Sequence, residues 1–425
     1  MSNSSSLSSV TLNITDGKHG DCKNETGSGF YFVSVKDLDS YGINLSCARQ
    51  ITKKDFLDTH KRTKLEPGDI LLANSGHTIG KMLYVEDWPE VSRITFQKSV
   101  AIIKPDLKKI DGKFLYYYLL ASVKSLKKAA VGSAQPNLLL NDLRNFPVSN
   151  EIPFAKQSKL ASLLYSLDKK IELNNRINAE LEAMAKTLYD YWFVQFDFPD
   201  SSPQGQGKPY KTSGGKMVYN STLKREIPAG WEAGTLEELG QIVGGSTPST
   251  QDPENFSSDG TPWITPNDLS NNQGNKFISR GGQDVSAEGI KSASLKKYPA
   301  GTVLLSSRAP IGYMAISRNE VTTNQGFKSF IPNKGYSSEF IYYTVKNSLK
   351  AITQYASGST FKEVSGGTLK TVKVVLPSVT LSDTFTKKAK PIFSQQDNIE
   401  KENEQLAKLR DWLLPMLMNG QVTVK

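Results

Sequence analysis

From Leu160 to Trp192 the apolar positions recur in alternating steps of four and three: Leu160, Leu164, Leu167, Ile171, Leu181, Ala185, Leu188 and Trp192, with Asn174 and Asn178 completing the seam. This spacing keeps one stripe of a helix turned toward a partner helix, and so predicts a long heptad helix. The same steps return in Phe385, Ala389, Ile392, Gln396, Ile399, Asn403, Leu406, Arg410, Leu413 and Leu417, weakened at Gln396 and Arg410. A seam of about 35–40 residues, roughly 50–60 Å at 1.5 Å per residue, does not stay exposed in water. Each helix needs a partner.

Ahead of each long helix the pattern changes to short β-branched and aromatic runs: DILLA (69–73), SVAIIKP (99–105), TVLLSS (302–307) and KVVLP (373–377). Bounded by Gly, Pro, Asn and Asp, they predict strands. FLYYYLLASVKSLKKAAV (114–131) and FIYYTVKNSLKAIT (340–353) predict helices.

The second half repeats the first in order. FLYYYL matches FIYYTV at an offset of 226, kept by Gly132-Ser133 with Gly358-Ser359 and by Leu143 with Leu369. Upstream, LEPGDILLANSGHTIG (65–80) resembles YPAGTVLLSSRAPIG (298–312), and VSVKDL (33–38) resembles ITPNDL (264–269). TFQKSVAIIKP faces TTNQGFKSFIP, aligning Gln97 with Gln325. Each half is a compact strand-rich domain followed by a long helix. Between them, residues 201–231 are rich in Gly, Ser, Pro and Lys and predict a linker or extended surface segment.

The simplest partner for each seam is the other copy. A pseudo-two-fold axis across the seam makes the helices antiparallel, projects the compact domains at opposite ends of a rod, and brings Asn174 opposite Asn403. Two such domains on a spacer suit separated half-sites on duplex DNA. Paired heptad helices also serve as plain packing devices, and geometry alone leaves both readings open.

Composition adds a partner class. With 425 residues, 38% hydrophobic content and a formal charge of +10, the chain predicts a multidomain globular protein with a polyanionic partner. MSNSSSLSSV lacks the basic and apolar regions of a signal peptide, and no run approaches a membrane span. Cys22 and Cys47 make no disulfide framework, so a cytoplasmic protein is expected.

The residues then carry a resemblance. IPFAKQSKLASLLYSLDKKIELNNRINAELEAMAKTLYDYWF is similar to the central region of specificity subunits of type I restriction–modification enzymes, and LRDWLLPMLMNGQVTV resembles their closing region. GGSTPST with TPWITPNDL, and ITDGKHGD in the first half, resemble the openings of the family's recognition domains, and GKPYKTSGGKMVYNSTLKREIPAGW resembles its inter-domain segment. The first half lacks a counterpart to IPAGW, and TLSDTF opens the second helix where FAKQSK opens the first.

The resemblance implies an α+β fold. Two strand-rich target recognition domains are joined by two long antiparallel heptad helices with internal pseudo-two-fold symmetry. Its domains are a first recognition domain (1–150), a central spacer helix (151–198), a linker (199–231), a second recognition domain (232–378) and a C-terminal spacer helix (379–425). It further implies a non-catalytic subunit that binds double-stranded DNA and docks two methyltransferase subunits, with restriction subunits in the full complex. S-adenosylmethionine, ATP and Mg are expected on those partners and no cofactor on this chain.

The residues agree with that division of labour. No (Asp/Asn)-Pro-Pro-aromatic tetrapeptide, G-x-G-x-x-G loop or Walker A sequence occurs. His19 and Cys22 have an H-x-x-C spacing, but one further cysteine and the scattered His60 and His77 do not complete a zinc set, and no metal site is expected.

Base and phosphate contacts call for Arg, Lys, Asn, Gln and hydroxyls in turn-rich segments. The candidates are Lys18, His19, Lys36, Asn74, His77, Gln97 and Lys98 in the first domain, and Thr247, Ser249, Asn267, Arg308, Gln325 and Lys328 in the second. Arg308 and His77 stand out because readers of unlike bases differ between the copies. Tyr189, Trp192, Phe193, Trp412 and Met416 are the candidate contacts to the methyltransferase subunits. The tyrosines of FLYYYL and FIYYTV are expected in the cores.

Overall fold

The computed structural model of the chain describes residues 4–39, 41–132, 136–203, 205–356 and 362–422. Of the matched pair Gly132-Ser133 and Gly358-Ser359, only Gly132 falls among them. The chain divides into two compact units, Met1–Leu173 with Asn403–Lys425, and Asn174–Glu402. The division lies inside both long helices, Phe154–Tyr189 and Val379–Met418, rather than at the domain edges 150 and 378.

In the first unit an antiparallel sheet runs in the order Thr11–Asp16, Val100–Pro105, Ile70–Ala73, Met82–Tyr84. DILLA and SVAIIKP are apolar at successive positions because both faces of this sheet are covered. Ile70, Leu72, Ala101 and Ile103 enter one core, while Leu71, Val100 and Ile102 enter another. That is the period-two alternation of a strand sandwiched between two layers. A smaller sheet places Tyr31–Val33 between Arg49–Gln50, antiparallel, and Ile94–Phe96, parallel.

The FLYYYL segment forms a helix, Gly112–Ala121, whose Asp111 side chain caps the Phe114 N–H at 2.9 Å. It ends at Ser122 and a second short helix follows at Val123–Ala129, so the expected single helix is broken here. Phe114, Leu115, Tyr116, Tyr117 and Leu119 are buried together with Leu160, Ala161 and Leu164 of the central helix and Leu414, Leu417 and Met418 of the C-terminal helix. Each of the leucine, phenylalanine and methionine side chains contributes roughly 1.5–3 kcal/mol of apolar burial. Gly420 approaches Ile152, and Arg410 meets Asp168, so the two helix segments of this unit run antiparallel.

The second unit repeats the order. Gln241–Gly244, Lys328–Ile331, Val303–Leu305 and Met314–Ser317 form the corresponding antiparallel ladder, extended by Phe277–Ile278 in parallel. Thr261–Ile264 lies between Gln283–Val285, antiparallel, and Thr322–Thr323, parallel. FIYYTV opens an unbroken helix, Ser338–Gln354. The helix segments are again antiparallel: Asn174 bonds Glu402 at 2.8 Å, Asn178 lies 3.5 Å from Glu400, and Trp192 packs on Phe385 at 6.1 Å. Asn174 thus spends an amide hydrogen on Glu402, the neighbour of the expected partner Asn403.

The seam itself holds. Leu160, Leu164, Ile171, Asn174, Asn178, Leu181, Ala185 and Trp192 are buried, with Leu167 and Leu188 half-buried. The region expected as a linker is folded instead. Phe198 stacks between Tyr210 (4.7 Å) and Trp231 (5.1 Å), the Asp197 carboxylate accepts from the Thr212 N–H and hydroxyl at 2.7 Å each, and Met217–Asn220 pairs with Arg225–Pro228 as a hairpin. Its Gly and Lys content belongs to turns and exposed edges around a small aromatic core.

Candidate nucleic-acid interface

The first unit holds a cleft where the outer strand of the main ladder turns away from the sheet; the second unit repeats the backbone of its two walls, and the place between them is its counterpart, the second cleft. Glycine permits the turn. A Cβ on Gly17 would stand 2.1 Å from the Phe96 carbonyl oxygen, and one on Gly245 2.1 Å from that of Asn324. The freed backbone then closes on the facing strand: Lys18 N–H donates to Phe96 O (2.8 Å) and Ser246 N–H to Thr323 O (3.0 Å).

The opposite wall repeats as well. Asn74 N–H donates to Ser99 O and Leu138 N–H to Asn74 O; Ser307 N–H donates to Gly326 O and Val364 N–H to Ser307 O. Beside them Ser75 bridges Asn137, and Arg308 bridges Glu363. This register corrects one expected match. Gly326 corresponds to Ser99, so Gln325 corresponds to Lys98, and Gln97 to Asn324.

The side chains on this shared backbone differ. The first cleft, about 470 Å³, is lined by His19, Asn74 and Lys98 from the expected set, together with Asp16, Arg62 and Asn137. Buried Asp16 accepts from Arg62 and lies 3.1 Å from His19 Nε2. Asn74 Nδ2 donates to the Lys98 carbonyl (3.2 Å), and its Oδ1 is buried with no hydrogen-bond donor among the described residues. Lys18 and Gln97 meet as a backbone bridge at the edge, with the Lys18 ammonium 3.6 Å from Asp55 and from Asp58. His77 stands exposed on the turn Gly76–Thr78 and Lys36 on the turn Val35–Asp37; neither lines the cleft.

In the second cleft Thr247 bonds Gln325. Arg308 Nη1 lies 3.7 Å and Lys328 Nζ 3.9 Å from the two oxygens of Glu363. Burial lowers the Lys328 pKa, with Glu363 opposing and Arg308 assisting that shift. Ser249 is exposed beyond the cleft, its carbonyl accepting from Asn255. Asn267 takes the place of Lys36: both are exposed inside capping boxes, Ser34–Asp37 and Thr265–Asp268, whose polar groups serve the turn.

Arg62, Asn137 and Glu363 were not anticipated. Asn137 and Glu363 keep the offset of 226 and were findable by extending it; Arg62 sits on a helix, Lys53–Thr63, whose pattern marks it only as a surface cation. His19 and Cys22 part company, His19 toward Asp16 and Cys22 into a core with Phe32, Ile51 and Phe56.

Three expected docking residues are corrected. Tyr189, Trp192 and Phe193 lie in the core of the second unit, where Tyr189 Oη meets Thr344 Oγ1 at 3.0 Å and Phe193 packs on Phe340 (4.9 Å) and Phe385 (5.2 Å). Bulky apolar groups at a helix end close their own domain first. In the first unit Trp412 is 64% exposed beside exposed Leu409, and Met416 is half-buried.

Known proteins fit this arrangement. The family described as "Type I restriction modification DNA specificity domain" matches residues 13–183 and 228–409. The MjaIX specificity subunit of Methanocaldococcus jannaschii is 41% identical over 195 residues, 45% of this chain and 44% of its own length. The HindI specificity subunit of Haemophilus influenzae is 27% identical over 424 residues, 88% of this chain and 90% of its own. The crystal structure of a type I restriction–modification S subunit from M. genitalium shares the fold, with TM-score 0.58 at 16% identity over 97% of this chain and 95% of that one. Among the described residues no helix is long and apolar enough to cross a membrane. With its family matched twice, once over each strand-rich domain, the chain belongs to the type I restriction–modification DNA specificity family.

Proposed function

We propose that this chain gives a type I restriction–modification complex its DNA address and makes or breaks no bond itself. Each strand-rich domain receives one half of a bipartite duplex target in its cleft, and the two long helices hold the unread gap between the halves. Two methyltransferase subunits, carrying S-adenosylmethionine, dock on the helices; restriction subunits bring ATP and Mg. The complex acts on chromosomal and incoming DNA in the cytoplasm.

One observation carries the reading: the clefts share a backbone to the hydrogen bond, yet hold unlike side chains. A common frame with different contents suits two sequences read in one manner. The formal charge of +10 supplies the attraction to phosphate.

The test is co-expression with the methyltransferase subunit in a methylation-free host, followed by mapping of N6-methyladenine. A single split motif with unlike halves and a fixed gap is expected. An assembled complex that methylates no recurrent motif overturns the reading.

A further inference from the structure

Arg308 and Glu363 are bridge partners across the second cleft, whereas the corresponding bridge in the first joins the uncharged Ser75 and Asn137. The guanidinium stands 3.7 Å from the carboxylate, an ion-pair distance too long for a hydrogen bond, so its fork is not committed to Glu363. Lys328 lies 3.9 Å from the other carboxylate oxygen, with its side chain running past Gly244 and Gly366. Two cations thus share one anion, and the first cleft has Ala101 where the second has Lys328, since Ala101 pairs with Asp16 as Lys328 pairs with Gly244.

This pattern of charge matches one base-pair edge. Only guanine offers two adjacent acceptors, N7 and O6, to a guanidinium fork, and its paired cytosine places the N4 amino donor beside them. A cation and an anion held side by side complement that edge. Resting on the reading that the cleft receives duplex DNA, we propose that Arg308 and Glu363 together read one G·C pair in the half-site of the second domain. Arg308 donates to guanine N7 and O6, and Glu363 accepts from the cytosine amino group. Ser75 and Asn137 occupy the same frame in the first domain and read a different base pair there.

The test uses the full chain co-expressed with its methyltransferase subunit in a methylation-free host, comparing methylated motifs of the wild type, R308A, R308K, E363Q and S75A/N137A. The wild type is expected to show a G·C pair at the position that R308A relaxes, with selectivity there falling about 10- to 100-fold. R308K relaxes that same position because a lysine lacks the fork, and E363Q relaxes it less, because its amide keeps one acceptor oxygen for the cytosine amino group but loses the charge. S75A/N137A alters only the other half. Should R308A lose all methylation through misfolding, R308K gives the decision, since it keeps charge and bulk. An R308K complex with an unaltered motif, or one assembled yet silent, overturns the pair as a single-position reader. So does a relaxed position that is not G·C, or a change in the same half from Arg308 and Ser75 variants. A wild-type complex with no motif overturns the proposed function instead.

Discussion

Lys276 Nζ lies 2.7 Å from Glu182 Oε2 inside the second unit, with the lysine side chain 2% exposed. The same ammonium donates to Gln396 Oε1 (2.7 Å) and Tyr343 Oη (3.0 Å) and sits 3.7 Å from the Phe393 ring centroid. One cation therefore ties the loop before Phe277–Ile278 to both long helices and to the Ser338–Gln354 helix. Burial pulls its pKa down to about 8 against the attraction of Glu182. Burial also works to raise the Glu182 carboxyl, but Lys276 and Lys346 overcome it and hold the group below its usual range.

The first prediction concerns pH. Between about 8 and the ordinary lysine value near 10.5, the unfolded chain keeps a proton at Lys276 that the folded chain has released. Stability from this group then rises with pH, by about 2 kcal/mol between pH 8 and 10. Above about 10 the buried tyrosines Tyr342 and Tyr343, whose pKa values are pushed up by burial, oppose the gain. Urea unfolding from pH 7 to 10 measures it. K276M is expected to flatten the rise between pH 8 and 10; an equal rise in that variant assigns it to other groups.

In the first unit the corresponding tyrosine, Tyr117, donates to Asp168 Oδ2 at 2.6 Å, and Arg410 Nη1 donates to Asp168 Oδ1 at 2.8 Å. Asp168 thus carries two hydrogen bonds in a nearly dry site. D168A is expected to cost about 2 kcal/mol because it removes the buried partner of a guanidinium that keeps only the exposed Asp411 carboxylate, at 2.8 Å, as its ion pair, and Y117F about 1 kcal/mol. The double variant costs less than the two singles added, since both remove one bond. Strict additivity in urea unfolding would separate the two contacts.

Gly17 and Gly245 give the cleft corners a direct test. G17A forces a methyl group against Phe96 O, a backbone atom that cannot swing aside. A loss of at least about 2 kcal/mol is expected, together with loss of methylation at the motif. Gly20 has positive φ but open space around a Cβ, so G20A meets backbone strain alone and costs about 1 kcal/mol. Equal costs for the two would mean the close approach relaxes freely.

Particular residues show what was legible. The heptad seams and the repeat were readable because burial on a helix or strand leaves a period, and an offset of 226 carried it from one half to the other. His19, Asn74 and Lys98 line one cleft because the turn-rich segments that hold them converge. Arg62 and Glu363 were not singled out, because their places depend on which strand turns toward which, a long-range fact with no local period. Tyr189, Trp192 and Phe193 misled for a related reason. An aromatic run at a helix end looks the same whether it faces a partner or its own domain, and only the positions of Phe340 and Phe385 decide.

That distinction separates Phe193 from Trp412 in the last prediction. Phe193 is closed in by Phe340 and Phe385, so F193A opens a cavity and is expected to cost about 3–5 kcal/mol. Trp412 is 64% exposed on the C-terminal helix, three residues from exposed Leu409, and W412A is expected to change stability by less than about 0.5 kcal/mol. A large aromatic ring left open beside a leucine is the kind of anchor that carries binding energy when a partner covers it. Titration of the methyltransferase subunit, at matched folded concentration, is expected to show W412A binding at least about tenfold more weakly. Unchanged affinity for W412A with intact folding would move the docking surface off this stripe of the helix.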